Sequence, residues 1–279
     1  MTYDNIFNQD SVKLEINSIF EGNSPHFGSD LEAYKFALSI LDLTTLEGSD
    51  KTDTIEQLCS KAIGFENYGL PNVAAVCVYP VFVRQARELL KDTNIRVASV
   101  AGAFPSGQSP LHIKLSEIQY AIDEGADEID MVISRGKFLE GKYQEVGDEI
   151  NDIKSICKDV HLKIILETGE LNDLNMIYHA SMIAMEAGGD FIKTSTGKIP
   201  VAATPEASYV MLKAIKEHKD KHGKMVGFKP AGGISTPEQA FNYIKLIENI
   251  LGKDWLSPEY FRIGASRLAN NLLLKLTTH

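Results

Sequence analysis

Two lysines stand at the ends of runs that otherwise belong in a protein interior. In "DFIKTSTGK", residues 190–198, Lys193 follows Phe191 and Ile192 and precedes the small hydroxyl run Thr194-Ser195-Thr196. In "MVGFKP", residues 225–230, Lys229 closes the next such run. Ammonium groups avoid interiors unless they are paired or have a task there. A lysine attacks a carbonyl only as the neutral amine, and an ordinary pKa of ~10.4 leaves that form scarce at neutral pH. Burial and a neighbouring cation both lower it. Adjacent strands lie ~4.8 Å apart, so ammonium groups at neighbouring strand ends repel and one gives up its proton. Lys193 or Lys229 is then a Schiff-base nucleophile, and an acid such as Asp130 holds the other and moves protons. The competing reading is a structural ion pair, with Asp130 or Glu167 as the mate.

The elements that must position these groups follow a rhythm. Short apolar runs occur at 36–43, 73–79, 95–102, 128–134, 162–168, 190–195, 225–230 and 260–265. Helix-like segments lie between them. "TPEQAFNYIKLIENILG" has Thr236 as N-cap, Pro237 at the first helical position and Gly252 as stop. Continuous apolar strands alternating with helices mean a parallel sheet covered on both faces. Eight repeats predict a single-domain (β/α)8 TIM barrel over residues 34–279, preceded by a short N-terminal extension over 1–33. An open doubly wound sheet shares this periodicity. No GxGxxG follows the first strand, which weakens its dinucleotide-binding form.

Barrel active sites lie at the carboxyl ends of the strands. Asp42, Thr44, Cys77, Asp130, Glu167, Lys193 and Lys229 fall there. "KPAGGIST" places Gly232, Gly233 and Ser235 after the seventh strand, and "GASRL" places Gly264, Ser266 and Arg267 around the end of the eighth. Loops in these positions commonly hold a phosphate. Asp42, Thr44, Cys77, Thr196, Gly197, Lys198 and these six loop residues are the candidate substrate-binding set. Cys77 also reads as a small buried hydrophobe.

Composition narrows the functions. The chain has 279 residues, 44% hydrophobic and 24% charged, with a net charge of −10. Such acidity argues against a nucleic-acid partner, yet leaves room for a basic pocket. Cys59, Cys77 and Cys157 make neither a disulfide framework nor a CxxC site. No signal-like or membrane-length apolar run is found, so a cytoplasmic protein without a membrane partner is expected. No histidine falls at the carboxyl end of a predicted strand (His161 begins its strand, at the other rim), and His218 and His222 read as a solvated helix end, so neither a metal nor another cofactor is expected. Self-association as a homodimer is left open.

The motifs "LDLTTL", "AAVCVYP", "GADEIDMV", "KIILETGEL", "DFIKTSTGK", "VGFKPAGGI" and "FRIGAS" resemble the deoxyribose-phosphate aldolases, in order, from about residue 36 to about residue 270. The resemblance implies a class I aldolase that cleaves 2-deoxy-D-ribose 5-phosphate to D-glyceraldehyde 3-phosphate and acetaldehyde, in deoxynucleoside breakdown. It assigns the Schiff base to Lys193, proton transfer and pKa control to Lys229, and proton exchange to Asp130. Other readings are a Schiff-base enzyme for another sugar phosphate, or a non-catalytic sugar-phosphate binder. There are departures. Many members carry an arginine where this chain has Ser235, and a small hydroxyl residue where it has Arg267. Several bacterial members end in a tyrosine, whereas this chain ends "LLLKLTTH".

Overall fold

The computed structural model describes residues 6–22, 26–171 and 173–278. Residues 1–5 and 23–25 of the expected extension, Asn172 and His279 lie outside the described residues. Eight parallel strands form the centre, β1 Leu41–Thr44, β2 Ala75–Val78, β3 Arg96–Ala101, β4 Glu128–Val132, β5 His161–Ile165, β6 Phe191–Lys193, β7 Gly227–Lys229 and β8 Ile263–Ala265. Their order is β7-β6-β5-β4-β3-β2-β1-β8. Parallel bridges Phe228–Phe261 and Ala231–Gly264 bring the β7 and β8 edges together. Arg262 N–H donates to Phe228 O at 3.1 Å and Gly264 N–H to Pro230 O at 2.9 Å across this seam. The sheet is therefore a (β/α)8 barrel and not an open doubly wound one.

Local chemistry sets the helix ends. Thr236 caps the helix Pro237–Leu251 through the N–H of Gln239, whose side chain reaches back to the cap, and Gly252 ends it at φ 90°. The expected strand 36–43 is divided. Phe36–Ser39 complete the helix Asp30–Ser39, and β1 begins only at Leu41. A buried helix and a buried strand are both apolar throughout, so the run carries no mark at their junction. The expected boundary between residues 33 and 34 falls inside this helix. Ahead of it, the helix Gln9–Glu21 buries Val12 and Ile16, four residues apart, and packs on the helices Pro205–His222 and Pro237–Leu251.

The pleat sorts side chains to the two faces of the cylinder. In β2 and β3, Val76, Val78, Val97 and Ala101 join the main core under the helices. Cys77, Ala98 and Val100 alternate with them and form a second apolar cluster with Leu46, against which Tyr79 and Phe104 pack. On the far side, the Phe191 ring fills the space left by Gly227, its register partner. A Cβ on Gly227 would lie 2.4 Å from that ring. Phe191 is fully buried, with Lys163 and Arg262 each 6.0 Å from its centroid, and has no room to yield. Gly227→Ala should therefore cost about 1–3 kcal/mol of stability by overpacking. Thermal unfolding checks this; an unchanged Tm would mean the ring moves freely.

Candidate active site

Seven ionisable side chains meet inside the barrel, and none is more than 4% exposed. They are Asp42 from β1, Glu128 and Asp130 from β4, Lys163 from β5, Lys193 from β6, Lys229 from β7, and Arg262 beside β8. Deepest, Arg262 donates to Asp42 Oδ1 and to Glu128 Oε1, each at 2.8 Å. Lys163 donates to Glu128 and, at 3.0 Å, to Asp130 Oδ1. Nearer the mouth, Lys193 and Lys229 are register partners on adjacent strands. Both Nζ atoms donate to one oxygen, Asp130 Oδ2, at 2.7 Å, and Lys229 also donates to Asp42.

Three carboxylates thus face four basic groups. Uncompensated charge is costly at such burial, so one neutral base balances the interior. The two lysines at the mouth respond oppositely. Burial pushes the Lys193 pKa down; Asp130 opposes this, and the Lys229 cation pushes further down. Burial acts on Lys229 too, but Asp130 and Asp42 outweigh it and raise its pKa. Burial would raise Asp130, yet Lys163, Lys193 and Lys229 hold it well below the usual carboxylate range. Asp42 is likewise lowered by Lys229, Arg262 and Lys163 against the effect of burial. Lys193 is the lysine shifted toward the amine form, beside a cation and a carboxylate. The Cys77 thiol is pushed up to about 11, chiefly by burial, and stays protonated and unreactive at neutral pH.

Above this floor is a cavity of 350 Å³. Lys193 rises into it, and Thr44, Thr196, Gly197, Lys198, Gly232, Gly233, Ser235, Gly264, Ser266 and Arg267 line it. Asp42, Cys77, Asp130 and Lys229 are not in the lining; they are buried in the barrel interior. Two glycines permit this closeness. A Cβ on Gly264 would press on Ala231 at 2.9 Å and on Lys229 Cε at 3.3 Å. Gly232 has φ 81°, and a Cβ there would lie 2.6 Å from Ala202 and 3.2 Å from Gly197 Cα, so the loops after β6 and β7 nearly touch. The loops after β7 and β8 are tied as well. Asn271, one helical turn beyond Arg267, donates to Ser235 O at 2.7 Å. Among the described residues Arg267 makes no ion pair, and its side chain is exposed at the cavity wall.

Glu167 does not pair with either lysine. It is fully buried with φ 56°, a left-handed backbone rare for a non-glycine residue. It accepts the Thr196 N–H at 3.1 Å, the Thr196 hydroxyl at 2.5 Å and Arg135 at 3.0 Å, and so fixes the loop after β6. Sequence reasoning passed over Glu128, Lys163 and Arg262. The signal was the two-residue spacing of Glu128 and Asp130, which puts both on one face of a strand. His218 is also corrected: it shares the inner face of its helix with Ala214 and Ile215 and is buried, with only His222 in solvent. Among the described residues no group of three or more His, Cys, Asp or Glu side chains could hold a metal ion, and no helix is long and apolar enough to cross a membrane.

Residues 36–244 match the family described as DeoC/LacD family aldolase, and the chain belongs to it. Human deoxyribose-phosphate aldolase is 45% identical over 256 residues, covering 87% of this chain and 80% of that protein. The Agrobacterium fabrum enzyme of the same name is 46% identical over 244 residues, covering 87% and 91%. The deoxyribose phosphate aldolase of Aeropyrum pernix superposes with a TM-score of 0.69 at 24% identity, over 98% and 99% of the two chains, and shares the fold.

The charge balance is open to test. Lys193→Met removes a base that is already neutral and should change stability by less than about 1 kcal/mol. Lys163→Met removes a buried cation shared by Glu128 and Asp130, which keep their other partners, and should cost about 3–5 kcal/mol. Urea unfolding of the two variants compares them; equal losses would refute the neutral assignment.

Proposed function

We propose that this chain is a class I aldolase that reversibly cleaves 2-deoxy-D-ribose 5-phosphate into D-glyceraldehyde 3-phosphate and acetaldehyde. The observation that carries the reading is the shared Asp130 oxygen, 2.7 Å from both Lys193 Nζ and Lys229 Nζ, under a cavity lined by the glycine loops. Lys193, as the amine, attacks the C1 aldehyde. Water leaves the carbinolamine and an iminium forms, which draws electrons from the C2–C3 bond. A water activated by Asp130 and Lys229 takes the C3 hydroxyl proton, and the bond breaks. Protonation of the enamine at C2 and hydrolysis then release acetaldehyde and restore Lys193. No external electron acceptor is required, because the electrons from the broken bond return to C2 as a C–H bond. Lys198, Arg267 and the N–H groups around Gly232, Gly233 and Ser266 hold the phosphate. A homodimer in the cytoplasm belongs to the same proposal.

Borohydride reduction in the presence of acetaldehyde should fix label on Lys193, read by peptide mapping; label on Lys229 would reverse the assignment. Lys229→Leu removes the cation that lowers Lys193 and one of the cations that balance Asp42 and Asp130. The Lys193 pKa should then rise. Because the amine is the active form, the acidic limb of the pH–rate profile should move to higher pH. An unmoved limb would end that role for Lys229.

Arg267 and Ser235 line one cavity from loops that Asn271 ties together. Arg267→Ala should raise KM for the phosphorylated sugar about tenfold, a loss of ~1.4 kcal/mol, with little effect on unphosphorylated deoxyribose. Equal effects on both substrates would remove Arg267 from the phosphate site.

A further inference from the structure

Glu47 is the one carboxylate among the described residues that line the cavity, and it stands among groups suited to an anion. Its Oε1 lies 2.9 Å from Lys198 Nζ. The pair joins the loop after β1 to the loop after β6. Between those strands in the cylinder lie β8 and β7, whose loops carry Gly232, Gly233, Ser266 and Arg267. The ion pair therefore spans the cavity mouth across the anion-binding loops.

Both ends are anchored by their backbones, while the side chains are not. Glu47 N–H donates to Asp50 Oδ2 at 2.9 Å, and Asp50 Oδ1 accepts the Thr45 hydroxyl at 2.8 Å, which fixes the turn. Lys198 N–H donates to Thr196 Oγ1 at 3.1 Å, and Thr196 is held by Glu167. The Glu47 side chain is 70% exposed and that of Lys198 26%. Holding this exposed pair together gives little free energy, so it opens readily.

We propose that Glu47 is a specificity-determining residue. Its carboxylate takes the place at Lys198 that a phosphate ester occupies, and it must swing out before such a ligand is held. A phosphate dianion beside a retained Glu47 would meet like charge at a few ångströms. A monoanionic carboxylate ligand only exchanges one carboxylate for another at Lys198. A phosphate dianion adds the backbone N–H groups and Arg267, and so repays the displacement. The pair thus weakens every anion that uses Lys198, leaves a neutral ligand untouched, and sets the margin by which the phosphorylated ligand is preferred.

The proposal rests on the aldolase reading only in its choice of sugar substrate. Calorimetric titration of the full chain with inorganic phosphate reads the contact directly. Glu47→Gln should tighten phosphate binding about fivefold, the scale of one exposed ion pair. In a Lys198→Gln background, where Glu47 has no partner to hold it at the mouth, the same change should have less than a twofold effect. The ratio of kcat/KM for deoxyribose 5-phosphate to that for deoxyribose should also rise about fivefold in Glu47→Gln. Unchanged phosphate affinity would overturn the proposal, as would weaker affinity, which would make Glu47 a support for Lys198. Absence of phosphate binding to both proteins would overturn it as well. If the aldolase reading fails, neither sugar is cleaved by the unaltered chain, and the phosphate titration still decides the role of Glu47.

Discussion

Seven ionisable groups share an interior out of reach of bulk water, and their charges must nearly cancel. The rest of the molecule is arranged around that requirement. Arg262 and Lys163 neutralise Glu128 and much of Asp42, and Asp130 takes Lys163 on one oxygen and two lysines on the other. Lys229 has a second carboxylate, Asp42, and keeps its proton. Lys193 has none, and burial beside the Lys229 cation shifts it toward the neutral amine. That shift is a property of the whole set and not of one neighbour. Conversion of the amine to an iminium puts a positive charge where the balanced set has none. That charge is an effective electron sink because nothing in the interior is left over to quench it.

The mouth obeys different physics. Its walls are largely backbone, hydroxyl and glycine, with Glu47, Lys198 and Arg267 as the charged side chains, and its precision comes from loops fastened to each other. Glu167 tolerates an unfavourable backbone conformation at φ 56° while two hydrogen bonds to Thr196 hold the loop after β6 and a third binds Arg135 after β4. Asn271 ties the loops after β7 and β8. A rigid floor of ion pairs beneath a rim of fixed amides divides the labour between carbonyl chemistry and anion binding.

The fold was legible because parallel strands buried on both faces leave continuous apolar runs, and eight of them were countable. The first run misled, since the end of the helix Asp30–Ser39 and the start of β1 are equally apolar. Lys193 and Lys229 were legible because each breaks the apolar rule at a strand's carboxyl end, and Asp130 because it breaks that rule in the middle of β4. Lys163, its register partner in β5, and Glu128, at the start of β4, break the same rule where no reaction was sought. Arg262 precedes its strand, and its reach to Asp42 and Glu128 exists only once the barrel has closed. Which lysine loses its proton depends on hydrogen bonds between β1, β4 and β7, and strand periodicity carries no information about those.

The second apolar cluster gives the barrel interior an apolar side opposite the polar loops. Leu46, Cys77, Ala98 and Val100, with Tyr79 and Phe104, lie on the β1–β3 side, and the polar glycine loops lie on the β6–β8 side. A ligand with an anion at one end and apolar carbon near the other would be oriented by this asymmetry. Reversed, its anion would lose water against a wall that offers it no partner, while its carbon lay among amides. The orientation would be set before any bond changed, by the unequal polarity of the two sides.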